Sequence, residues 1–309
     1  RQQKARYTPL FTLRDPGGRQ VGKLMAPRVL GLAFSQLNQA IIVGLTDIMP
    51  TGSLVAFNTA FRLVIMPQGI LGQALGIAAF PTMADLAARE AWDEMRQILA
   101  DSLRLLLFLG LPVMAVLIVL REAAIIILFE RGLFNSESTA LTAGTLLFLA
   151  LGLLALILIE VLARSFYALS DTWTPVLAGF FQIMLMGVFG WWLSLNLFPQ
   201  LGWQPIGGLA LAFSISNYLE VALLLWLLSR RLGGMNGRLL LNGAWRVLVA
   251  ASAATGLGWL VASQTAQSVW LQAIAGSAII GLTYLALCWL LQVRELKYLV
   301  RLVKRGTNA

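Results

Sequence analysis

The sequence contains no histidine, and its single cysteine, Cys288, sits inside an apolar run. Those two absences make zinc sites, disulfides, histidine acid–base pairs and cysteine–histidine nucleophiles poor readings of its chemistry. Charge is scarce too: 12% of residues are charged, against roughly 25% in an average soluble domain. No glycine-rich loop follows a strand pattern, and no two carboxylates pair deep in an apolar segment. A catalytic reading is therefore not supported. The 23 basic residues outnumber the 14 acidic ones. Here that excess points to loops beside anionic lipid rather than to nucleic acid.

What is abundant is apolar sequence, at 59% of residues. It is arranged in repeated runs longer than about 18 residues, the signature of membrane-spanning helices. The reading is an all-α, polytopic helical membrane protein of about eight spans. A basic segment, 1–23, reads as a cytoplasmic linker feeding span one at Leu24 to Ile48. Span two begins after the turn Pro50-Thr51-Gly52-Ser53, with Ser53 as its expected cap. Span three is Leu103 to Leu120, with Arg96, Asp101 and Arg104 forming the polar face of its approach. The apolar part of REAAIIILFERGLFNSEST is too short to cross and reads as an interfacial helix. Spans four to eight are Thr139 to Arg164, Pro175 to Leu197, Ile206 to Ser229, Leu239 to Ala262 and Val269 to Val293. The tail, 294–309, is basic.

The distribution of positive charge tests this count. With both ends placed in the cytoplasm, all but three of the 23 Lys and Arg fall on that side. The exceptions are Arg121 and Arg131 outside and Arg62 within a span. So strong a bias fixes the number of spans, and the tryptophans near the span ends form the two expected aromatic belts. The chain starts at Arg1 with no signal peptide ahead of the first span, and it reads as part of a longer protein.

The segment Leu54–Met83 carries one charge, Arg62. A central arginine costs about 2.5–3.5 kcal/mol even on the low scale, so such residues usually face a wet cavity or a partner. At helical spacing, Asn58, Arg62, Met66, Gly69 and Gln73 share one face, while Gly69, Gly72 and Gly76 offer a surface for close helix approach. We read this helix as the lining of a polar path, with substrate contacts from Arg62, Asn58 and Gln73, and from Asn38 and Gln36 on span one. The competing reading of Ser35, Gln36, Asn38 and Gln39 is interhelical hydrogen bonding. Glu160 and Arg164, at i and i+4, read as a local ion pair. Glu220 reads as a protonated acid facing a neighbour, a counter-ion for Arg62 or a cation-coupling site. Pro67 is expected to kink or loosen its helix.

Four segments then carry a resemblance: PRVLGLAFSQLNQ (27–39), TGSLVAFNTAFRLVIMPQGILGQALGIAAFPTMADLA (51–87), LFERGLF (128–134) and ARSFYALSDTWTPV (163–176). In this order they resemble the second half of the MurJ/MviN family, lipid II flippases of the MOP transporter superfamily. The resemblance runs from about residue 20 to the end. It implies that 24–231 is the second six-helix lobe, that 239–293 is the terminal helix pair lining a groove for the lipid tail, and that a first lobe lies elsewhere in the protein. It further implies a bacterial inner-membrane protein that moves undecaprenyl-pyrophosphate-linked peptidoglycan precursor. Arg62 would match a cavity arginine that holds the diphosphate, and Arg246 would lie nearest a head group. The partners implied are that precursor, membrane lipids and the first lobe. No cofactor is implied, and the driving force is left open among Na+, H+ and the membrane potential. Two departures stand out. Phe61 and Ile65 occupy positions where family members carry acids, and no carboxylate between Leu24 and Thr46 matches the sodium ligand of some relatives. The rival readings are a MOP exporter of another lipid-linked saccharide or drug, and a non-transporting membrane scaffold.

Overall fold

The computed structural model describes residues 16–234, 237–265 and 268–296. The tail beyond 296 and the first fifteen residues, to which we assigned the basic ends, lie outside them. Within the described residues the chain is a succession of helices: α1 Pro16–Asp47, α2 Ser53–Gln68, α3 Ala74–Ala88, α4 Trp92–Val119, α5 Arg121–Phe129, α6 Ser136–Ala168, α7 Trp173–Trp192, α8 Phe198–Gln200, α9 Pro205–Arg231, α10 Gly237–Gln264 and α11 Val269–Leu290. Two wide π turns, Gly69–Gln73 and Leu193–Leu197, join α2 to α3 and α7 to α8 without breaking either rod. Among the described residues eight helices are long and apolar enough to cross a membrane, and the protein is a multi-pass membrane protein. The nine-residue α5 corresponds to the expected interfacial helix. Helix α1 starts at Pro16, inside the stretch expected to be a linker.

The helix ends have local causes. Asn135 accepts a hydrogen bond from the Ser138 amide at 3.0 Å and caps α6. Pro205 opens α9, where its missing N–H costs nothing. Ser53 does not cap α2. Gly52 takes that position at φ 90°, which glycine reaches freely, and the Ser53 hydroxyl donates to the Pro50 carbonyl at 2.7 Å.

Helix α6 is the axis of the bundle. Leu146, Leu149, Leu153, Ile157 and Val161 are fully buried, because α6 packs on α9, α2, α4, α3 and α5 and so needs apolar residues all round. Close approach to α9 depends on Gly152, since a Cβ there would lie 2.5 Å from the Ser214 hydroxyl, which donates to the Phe148 carbonyl at 2.6 Å. From α6 the helices run in an arc, α6 to α9 to α7 to α1. Helix α1 thus leans on α7, through Ile41 against Gly187 and Phe34 against Phe180, and its contact with α2 is slight. The α10–α11 hairpin packs on α4, where the buried Tyr284 hydroxyl donates to the Phe108 carbonyl at 2.7 Å. The belt tryptophans Trp173, Trp191, Trp192, Trp203, Trp226, Trp245, Trp259, Trp270 and Trp289 all point outward.

Candidate functional site

Helix α2 and its continuation α3 present two different faces. One face packs on α6. There Gly72 meets the backbone of Ile157, 3.1 Å from the Cα if a Cβ were added, and Gly76 meets the Arg164 guanidinium at 2.8 Å. Gln68, on the same side and buried, donates from Nε2 to Glu160 Oε1 at 2.8 Å. Glu160 in turn pairs with Arg164, as the i, i+4 spacing predicts. Beside this cluster a cavity of about 480 Å³ opens, lined by Ile77, Phe80, Ile159, Glu160, Ala163, Arg164 and Tyr167. Gln68 was not singled out in the sequence. The signal available was the facing pair of four-residue spacings, Gly72/Gly76 against Glu160/Arg164. Only the packing reveals which polar residue of α2 completes the set.

The other face of α2 is open. Arg62 is exposed and makes no hydrogen bond or ion pair among the described residues. Its neighbours along the face are Met66, 66% exposed, and Ile70, 71% exposed. Asn58 is half-buried, Gln73 is exposed within the π turn, and Gly69 has open space around it. Of the three glycines expected to form one contact surface, two do so and Gly69 belongs to the open side.

Pro67 lies between the two arrangements. Lacking an N–H, it cannot bond the Leu63 carbonyl. The π turn begins two residues later, at Gly69, which is how this helix relaxes around its proline without a sharp break.

On α1, Gln36 is exposed, and Asn38 is half-buried with its Oδ1 lacking a partner. Counted from the 48–52 turn, Asn38 and Arg62 are each nine residues into their helices. At about 1.5 Å per residue they stand at the same depth, roughly 13 Å in. The structure therefore puts the α1 polar set and Arg62 at one level of a splayed pair of helices.

Glu220, on α9, is 8% exposed. Its Oε1 is 3.7 Å from where a Cβ at Gly179 of α7 would stand, and it is within electrostatic reach of Tyr167. No ion pair joins it to Arg62, which removes the counter-ion reading for this conformation. One turn earlier on the same helix, Ser216 accepts from the buried Gln182 of α7 at 2.9 Å. Arg246, the expected head-group residue, donates to the Leu291 carbonyl at the end of α11 at 3.2 Å. Arg104 departs most from expectation. The sequence places it on the polar face of the approach to span three, but it is buried, 3.3 Å from the Cβ position of Gly243 on α10. No group of three or more His, Cys, Asp or Glu able to hold a metal occurs among the described residues.

The probable lipid II flippase MurJ of Vibrio cholerae serotype O1 is 29% identical to this chain, covering 93% of it and 54% of its own length. The corresponding protein of Rhizobium tropici is 32% identical over 72% of this chain and 40% of its own length. A solved lipid II flippase MurJ in an inward closed conformation matches with a TM-score of 0.69 at 22% identity, over 90% of this chain and 55% of that one. An outward-facing multidrug resistance MATE transporter of the MOP superfamily matches with a TM-score of 0.57 at 19% identity, over 90% and 66%. At these identities the solved structures speak to the fold, which is that of MOP transporters. This chain spans about half the length of the curated relatives it matches. The family model described as lipid II flippase MurJ matches residues 1–280, most of the sequence, and the chain belongs to that family.

Proposed function

We propose that this chain is the second lobe and terminal helix pair of a transporter, not an enzyme, that flips undecaprenyl-pyrophosphate-linked peptidoglycan precursor across the bacterial inner membrane by alternating access. Both chain ends face the cytoplasm in this reading, following the positive charge. The observation that carries the proposal is Arg62, a guanidinium in mid-span, unpaired and on the open face of α2. A guanidinium fork suits phosphate oxygens bidentately and gains strength where water is excluded. Asn58, Gln73, Asn38 and Gln36 flank the same path. The open faces of α1 and α2 are the surface the first lobe of the same protein would cover. Glu220, acidic and buried in mid-span, is the residue to test for coupling to Na+ or H+; the membrane potential is the alternative driving force. No cofactor is invoked.

The test replaces Arg62 with Ala, and separately with Lys, in the full-length protein, and asks whether each rescues cells depleted of their own flippase. Loss of rescue by Ala with partial rescue by Lys is the expected result. Full rescue by Ala removes Arg62 from the mechanism. Export of another lipid-linked saccharide or a drug is the second reading, favoured by the shared fold with MATE transporters. It predicts that Arg62→Ala leaves transport of the anionic lipid untouched.

A further inference from the structure

Arg104 on α4 is 7% exposed, its Nε has no hydrogen-bond partner, and no ion pair or hydrogen bond of its guanidinium occurs among the described residues. The neighbouring arginines at this end of the bundle are satisfied. Arg96 pairs with Asp93, and Arg246 donates to the Leu291 carbonyl. Asp101, one turn before Arg104 on α4, is exposed and forms no ion pair with it. An arginine cannot shed its proton to escape burial, and an uncompensated buried charge is strongly unfavourable. No acidic side chain among the described residues neutralises this charge, which leaves it open to an anion from outside the chain.

The surroundings narrow what that anion is. Gly243 turns backbone, not a side chain, toward the guanidinium, and the Cβ it lacks would lie 3.3 Å from Nε. Arg246 follows Gly243 by three residues, so a second cation stands one turn along α10. Trp245, which precedes Arg246, and Leu248 and Val249, which follow it, are exposed on the side of α10 turned away from Gly243. Arg104 and Arg246 thus put two cations beside a helix whose outer surface is apolar and carries an interfacial tryptophan, a setting in which the anion at hand is a lipid phosphodiester. The seam lies on the flank that α4 shares with α10 and α11, at the end of the bundle where positive charge is concentrated.

We infer that the seam between α4 and α10 is a binding site for the phosphodiester of an acidic phospholipid, with Arg104 as its anchor and Arg246 as a second cation. The lipid completes the packing of the terminal helix pair on the lobe. This site is separate from the Arg62 face, and its test reads stability, not transport.

The full-length protein is reconstituted in nanodiscs of phosphatidylcholine alone and of an equimolar mixture of phosphatidylcholine and phosphatidylglycerol, and its thermal midpoint is measured. The mixture should raise wild type by about 5 °C and Arg104→Met by less than about 1 °C. Arg104→Lys, which keeps the charge and loses the fork, should fall between. In phosphatidylcholine alone, Arg104→Met should be at least as stable as wild type, because it removes a charge that has no partner there. An equal response of wild type and both variants to phosphatidylglycerol overturns the proposal, since general attraction to an anionic surface would act on all three. So does an Arg104→Met variant that is less stable than wild type by the same margin in both membranes. Inorganic phosphate added to phosphatidylcholine discs is the last arm. A matching rise there assigns the site to a soluble anion and overturns the lipid.

Discussion

Arg164 and Arg62 are the same residue in similarly apolar helices, yet the molecule treats them in opposite ways. Arg164 is held by Glu160, which is held by Gln68 across the α2–α6 seam, and Gly76 leaves the room the guanidinium needs. Arg62 has no such partner, and Met66 and Ile70 along its face are exposed. The first arrangement is closed and spends its charge on holding two helices together. The second leaves a charge available. The difference teaches that an intramembrane arginine is a site only when its own chain declines to neutralise it. By that criterion Arg62 and Arg104 qualify and Arg164 does not.

The packed side of the comparison breaks most easily at Gly72. A larger side chain there meets the Ile157 backbone, which cannot swing aside. Gly72→Leu should cost about 3 kcal/mol and lower the thermal midpoint in detergent by several degrees. Gly69→Leu, three residues away with open space around it, should stay within about 0.5 kcal/mol. Equal effects at the two glycines would mean that the faces of α2 are not distinct.

Next in size is the Glu160–Arg164 pair. Removing one partner of a buried pair costs about 3–5 kcal/mol when burial is complete. These side chains retain 24% and 20% exposure, so Glu160→Ala should cost less, about 2 kcal/mol. Adding Arg164→Met should restore much of that, because the orphaned charge goes with it. A double-mutant cycle that finds the two changes additive would show the pair is not coupled.

The spans, their order and the short helix between spans three and four were readable from hydropathy alone, because a bilayer imposes length and apolarity on every crossing segment. Arg62 was readable for the same reason, as a charge that violates the rule. What could not be read is which of two polar faces turns inward. Gln68 and Arg62 both interrupt apolar sequence on one helix, and only α6 decides that Gln68 is the buried one. Arg104 shows the limit more sharply. Its burial is set by Gly243, far along the chain on α10, so a reading of its own helix places it on a solvated face. The Ser53 cap failed because Gly52 reaches a left-handed φ that serine avoids.

A smaller effect belongs to the turn that joins α6 to α7, outside the spans. Burial pushes the Asp171 carboxyl up, but hydrogen bonds from the Thr174 hydroxyl and amide and the Trp173 amide, together with the charge of the paired Arg231 guanidinium, outweigh it and hold the group below its ordinary value of 3.8. Its folded value is lower than its unfolded one. The stabilisation is therefore present above the ordinary carboxylate range and is lost as pH falls through the folded value. Asp171→Asn should cost about 1 kcal/mol at neutral pH, and the gap from wild type should close on acidification below pH 3.8. A gap independent of pH would assign the loss to geometry and not to charge.

The smallest stability effect is the one that most sharpens the comparison. Arg62 holds nothing in place, so Arg62→Ala should change the thermal midpoint by less than about 1 °C in detergent. The bilayer is the informative medium. A guanidinium lying among acyl chains costs about 2.5–3.5 kcal/mol or more, and its removal would then raise the midpoint in nanodiscs by several degrees while leaving the detergent value alone. A guanidinium facing a watered path costs little, and its removal changes neither. The full-length protein should show the second pattern. A rise confined to the bilayer would put Arg62 in oil and take the diphosphate-binding role from it, whatever its effect on cell rescue.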